Sequence, residues 1–126
     1  MRIKFLFAIT AVLSFVNGIF YLLVPEFSLS LLGQSTNTAG IMNARYFGAA
    51  ALGIAVITWF ARNVQSFQLQ RIIALGVLIT LGASAVVGFF GTLSGTMNLV
   101  GWFMVATDSL LSLGFFLLIV NYQGSN

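Results

Sequence analysis

The chain has 126 residues, of which 60% are hydrophobic and 6% charged, with a mean hydropathy of +1.06. Soluble domains carry about 45–50% apolar and about 25% charged residues, so a water-soluble globule is excluded. Five Lys and Arg against two Asp and Glu give a formal charge of +3, and these cations are scattered rather than gathered into the basic patch that nucleic acid requires.

At about 20 residues per span, the length holds four membrane helices in a single domain, residues 1–126. The first apolar run, residues 5–24, follows Arg2 and Lys4 and ends at Pro25. It is longer than the apolar stretch of a signal peptide and lacks a small-x-small cleavage site, so a retained helix is expected. After it, Pro25 stands at a helix-start position and Gly33 at a helix-end position, which predicts a short interfacial helix. The polar run Gln34-Ser35-Thr36-Asn37-Thr38 then reads as a loop that caps the next span.

The second, third and fourth spans are expected at about 41–61, 72–90 and 99–120. Backbone polar groups in hydrocarbon must be satisfied internally, so these runs read as helices, and no strand-like alternation suggests a barrel. Arg2 and Lys4 before the first span and Arg62 and Arg71 around the second connection fall on one side. The positive-inside rule makes that side cytoplasmic, with both termini inside and Glu26 in the first outer loop. The fold class is all-α: an integral membrane four-helix bundle.

Small residues let membrane helices approach closely. Ala44, Gly48, Ala49 and Gly53 suggest one contact face on the second span. Gly76, Thr80, Ala83, Ser84, Val87, Gly88 and Gly91 suggest another on the third.

Two charged residues interrupt the apolar runs. Asp108 stands ~14 Å into the fourth span, and Arg45 ~6 Å into the second from the same surface. An ionised residue deep in a helix costs about 2.5–3.5 kcal/mol on insertion scales, so Asp108 is expected to have a partner. Asn17 and Tyr21 lie one turn apart on the first span at similar depth, and Asn43 and Thr107 stand near the same group. The expected cluster is therefore Asn17, Tyr21, Arg45 and Asp108.

Three uses of that cluster are open. It is a buried ion pair that fixes helix register, although such pairs need not stabilise net. It is the polar end of an outward-opening cavity, with Arg45 holding a carboxylate, phosphate or quinone oxygen of an amphipathic ligand. Or Asp108 carries a proton in transport. With no His and no Cys, imidazole and thiolate chemistry are excluded, and neither an enzyme nor a metal site is expected.

Asn17-Gly18, Tyr21, Pro25-Glu26, Leu32-Gly33, the run Asn43-Ala44-Arg45-Tyr46-Phe47-Gly48, Gly101-Trp102 and Asp108-Ser109-Leu110-Leu111 span nearly the whole chain. Together they resemble small bacterial four-helix membrane proteins of the DoxX-like kind. The resemblance implies a multi-pass protein of the bacterial inner membrane, with Arg45 and Asp108 at family-like polar positions and no established reaction. Association of some DoxX-like proteins with oxidoreductase systems makes an accessory subunit of a redox-related assembly the first functional expectation. Small multidrug transporters are the other four-helix comparison, but they carry a carboxylate in the first span, where this chain has Asn17. The accessory role is non-enzymatic, in a membrane-protein complex or homo-oligomer within the lipid bilayer. The alternative is a carrier or binding protein for a lipophilic molecule, with no intrinsic cofactor and a lipid or quinone-like ligand.

Overall fold

The computed structural model describes residues 3–121. Arg2, one of the expected topology anchors, lies outside the described residues. Helices α1 (Ile3–Leu23), α2 (Pro25–Leu31), α3 (Thr38–Ala61), α4 (Phe67–Leu93) and α5 (Val100–Asn121) follow in chain order. All but α2 are long and apolar enough to cross a bilayer, and the protein is a multi-pass helical membrane protein.

Local chemistry sets the element ends. Pro25 opens α2, where its missing N–H is no loss, and Gly33 closes the turn after it at φ +73°. Asn37 caps α3 by accepting from Gly40 N at 2.9 Å. Ser66 caps α4 by accepting from Leu69 N at 3.3 Å, so α4 begins at Phe67 and carries Arg71 on its exposed surface. The helix that carries the third span accordingly extends beyond residues 72–90 at both ends. Within the spans, the hydroxyls of Thr10, Thr58, Thr92 and Thr107 donate to carbonyls four residues back at 2.7–2.9 Å. Each is thereby satisfied inside its own helix, as hydrocarbon requires.

The helices pack as two pairs, α1 on α3 and α4 on α5, with slighter contact between the pairs. Gly18 and Gly48 make the first pair close. A β-carbon on Gly48 would lie 2.6 Å from Leu22 N and 2.8 Å from Gly18 O, so the two backbones touch. The buried face of α3 is Ala44, Gly48, Ala55, Thr58 and Ala61. Ala49 and Gly53 are exposed, which corrects the expected stripe on that helix. On α4, Gly88 lies under Val105 and Gly91 under Met97, while Gly76, Thr80 and Ala83 face outward. Only the Gly88–Gly91 end of that expected stripe is a close intramolecular contact.

The apolar core occupies one end of the bundle, the end that bears the α3–α4 loop. Leu6 and Phe7, Ala61, Ala74 and Val77, and Phe115 and Ile119 form it. Phe7 meets Phe115 edge to face at 5.2 Å between centroids, and both are fully buried. Gln70 Nε2 donates to Ala61 O at 3.1 Å, satisfying a terminal carbonyl of α3. At the opposite end the pairs are tied by polar bonds instead. Asn98 N donates to Leu32 O at 2.9 Å, and Asn98 Nδ2 to Leu31 O at 3.1 Å.

The backbone contact at Gly48 predicts a sharp contrast between two glycines of one helix. Gly48→Ala must push α1 off α3 and is expected to destabilise by about 1–3 kcal/mol. A β-carbon on Gly53 meets nothing within 4 Å, so Gly53→Ala should be neutral or stabilising by up to about 1 kcal/mol. Denaturant unfolding in detergent, followed by circular dichroism, measures both.

Candidate functional site: a cleft between the helix pairs

Where the core ends, the two pairs part and leave a cleft roofed by α2. Three adjoining cavities make it up, of about 290, 310 and 310 Å³. One lies between α1 and α5, one beneath α2, and one between α3 and the α4–α5 pair. Met104 lines all three. Its flexible thioether is suited to packing against occupants of differing shape.

The polar lining comes from every long helix. Asp108 stands between the α1–α5 cavity and the α3–α4 cavity, ~12 Å from the start of α5, and lines both. Ser84 on α4 lines the α3–α4 cavity beside the Asp108 carboxylate. Asn17 lines the α1–α5 cavity and the one beneath α2. Tyr21 is buried, with its ring held edge to face against Phe47 at 4.9 Å, and lines the cavities beneath α2 and beside α3. Gln34 and Asn43 complete the α3 side, and Ser14 and Thr107 the α1–α5 side.

The cleft thus gathers Asn17, Tyr21 and Asp108 of the expected cluster, and Arg45 is absent from it. Arg45 is exposed, and among the described residues no ion pair joins it to Asp108. The reason is azimuth rather than depth. Counted from the start of α3, Arg45 is ~10 Å down its helix, nearly level with Asp108. However, Asn43 and Phe47 line the cleft, and a residue two positions from each points roughly 160° away around the helix. The expected Arg45–Asp108 pair is therefore corrected: Arg45 projects from the far side of α3. Its long stem can carry the guanidinium toward the headgroups at the α2 end.

The corrected geometry also changes the electrostatics. Among the described residues the cleft is lined by one carboxylate, no cation, and several neutral groups able to donate or accept hydrogen bonds. Met104, Ser84 and Gln34 were not singled out as site residues by sequence, because Met and Ser are ordinary in membrane helices and Gln34 stood in a polar loop. No family model, curated protein or solved structure matches the chain.

The chain has no native Cys, so single cysteines report the cleft directly. Thr107→Cys should react with a charged, water-soluble methanethiosulfonate reagent. Ala74→Cys in the closed core and Ile79→Cys on the apolar exterior should react at least about tenfold more slowly, because a thiol in apolar surroundings stays protonated. Mass spectrometry of the labelled protein gives the rates.

Proposed function

We propose that the protein binds a lipophilic small molecule in this cleft, as a binding protein or carrier, with the molecule's polar end at Asp108. The observation that carries the proposal is the convergence of Asp108, Ser84, Asn17 and Tyr21 on adjoining cavities whose remaining lining is largely apolar. A few placed polar groups in an apolar pocket of some 300–1,000 Å³ are the usual form of a small-molecule site. With Arg45 outside, an anionic head has no cation to meet it and would face the Asp108 carboxylate. A positive or uncharged head suits the site: an amine or onium group opposite Asp108, or a quinone-like oxygen accepting from Tyr21 or Asn17.

Charge selectivity tests this reading. A long-chain alkylammonium cation and a short-chain quinone are expected to bind the purified protein, and an alkyl sulfonate of equal chain length to bind far more weakly. Asp108→Asn should weaken the cation by about 10–100-fold, the worth of one charged hydrogen bond, while Arg45→Gln leaves it unchanged. Native mass spectrometry or calorimetry in mild detergent measures these affinities. Tight sulfonate binding that is lost in Arg45→Gln would overturn the proposal.

A second reading, the non-enzymatic accessory subunit, is favoured by a different face. Gly76 on α4 would have nothing within 4 Å of an added β-carbon, and Thr80 and Ala83 continue that uncovered stripe. A helix of a partner subunit would pack there closely. Under this reading the cation-rich end lies in the cytoplasm of a bacterial inner membrane, and the DoxX-like resemblance points to a redox-related assembly. Co-purification of a defined partner, lost in Gly76→Leu, would support it over the cleft.

A further inference from the structure

A second concavity lies on the other side of the α1–α3 pair, away from the cleft. Ala11, Val12 and Phe15 of α1 and Ala55, Val56 and Trp59 of α3 line a groove of about 320 Å³ with no charged side chain in its wall. Small residues at Ala11 and Ala55 make the floor, and Phe15 and Trp59 make the sides. We propose that this groove holds an acyl chain of an anionic phospholipid whose phosphate is clamped between Lys4 and Arg62.

Register places the two cations together. Lys4 lies fourteen residues from Gly18 and Arg62 fourteen from Gly48, so both stand about 21 Å from the point where the antiparallel helices touch. Helical period places them on the groove. Lys4 shares a stripe of α1 with Ala11 and Phe15, at seven and eleven residues, and Arg62 shares a stripe of α3 with Ala55 at seven. The groove runs from that end into the hydrocarbon for roughly 10 Å along α3.

Arg62 is already held for the task. Its guanidinium carbon lies 3.5 Å from the centroid of the Trp59 ring, and Trp59 is a wall of the groove. Stacking fixes the guanidinium plane and leaves its edges for a phosphate, which takes two N–H donors at once. Nε of Arg62 is buried and has no acceptor among the described residues, so the side chain has hydrogen bonding left to make. Both acidic side chains lie elsewhere, Glu26 in α2 and Asp108 in the cleft, so among the described residues no carboxylate at this end competes for the cations. A second copy of the chain is a poorer occupant. In a two-fold dimer spanning the same membrane, Lys4 and Arg62 of both copies would meet at one level, like charge against like.

The test is native mass spectrometry of the full chain in mild detergent. Phosphatidylglycerol and phosphatidylcholine with identical acyl chains are supplied in equal amounts. Wild type should retain phosphatidylglycerol over phosphatidylcholine by roughly 30-fold, as expected for two cations near the membrane surface. Lys4→Gln with Arg62→Gln should bring the ratio near one, and Arg62→Lys should keep part of the preference. Val56 is on the exposed surface, so Val56→Trp fills the groove without entering the helix contact and should abolish retention of either lipid. If the Gln double variant loses its helical signal, the comparison of Val56→Trp with wild type decides alone. Equal retention of the two lipids by wild type, undiminished retention by Val56→Trp, or a dimer in place of bound lipid would each overturn the proposal.

Discussion

The contact of two backbones at Gly18 and Gly48 is the constraint on which the remaining arrangement depends. It fixes the distance, level and rotation of α1 against α3 at one point. From that rotation follows the side of each helix that faces the α4–α5 pair. Ser14, Asn17 and Tyr21 on α1 and Asn43 and Phe47 on α3 turn toward α5, and Lys4, Phe15, Arg45 and Arg62 turn to the other side. Two concavities of opposite character result. One is lined by a carboxylate and neutral polar groups, and the other is an apolar groove that leads to cations.

The bundle is closed at one end and open at the other for the same underlying reason. Near the α3–α4 loop, large apolar side chains such as Leu6, Phe7 and Phe115 fill the space between the pairs, with Gly114 admitting Leu6. Toward α2, polar side chains such as Asn17, Ser84 and Asp108 interrupt a largely apolar lining, and the space between the pairs is left unfilled. The pairs are prevented from separating there by the bonds from Asn98 to the end of α2. A cleft whose walls are anchored both below and above can keep its shape when empty, which lowers the ordering cost of binding.

Much of this fold was legible from residue patterns. Hydropathy located four spans, and Pro25, Gly33 and the polar run before Thr38 located α2 and the start of α3. The start of α4 was misplaced because a charged Arg71 reads as a boundary, whereas Ser66 supplies the cap. The gathering of Asn17, Tyr21 and Asp108 on one cleft was legible because polar groups in hydrocarbon need a shared refuge. The place of Arg45 was not, for a geometrical reason. Spacing fixes which residues of one helix share a face, but it says nothing of which neighbour that face meets. The same limit explains Ala49 and Gly53, small residues one step around α3 from the stripe that α1 covers.

The separation of Arg45 from Asp108 is the point at which sequence expectation and geometry differ most, and a double-mutant cycle on unfolding free energy tests it. Arg45→Gln, Asp108→Asn and the double variant are compared with wild type in one detergent. The two substitutions should be additive within about 0.5 kcal/mol, as for residues with no shared partner. A coupling of about 1.5 kcal/mol or more would show that the two charges meet across the bundle. The cleft as described would then be wrong.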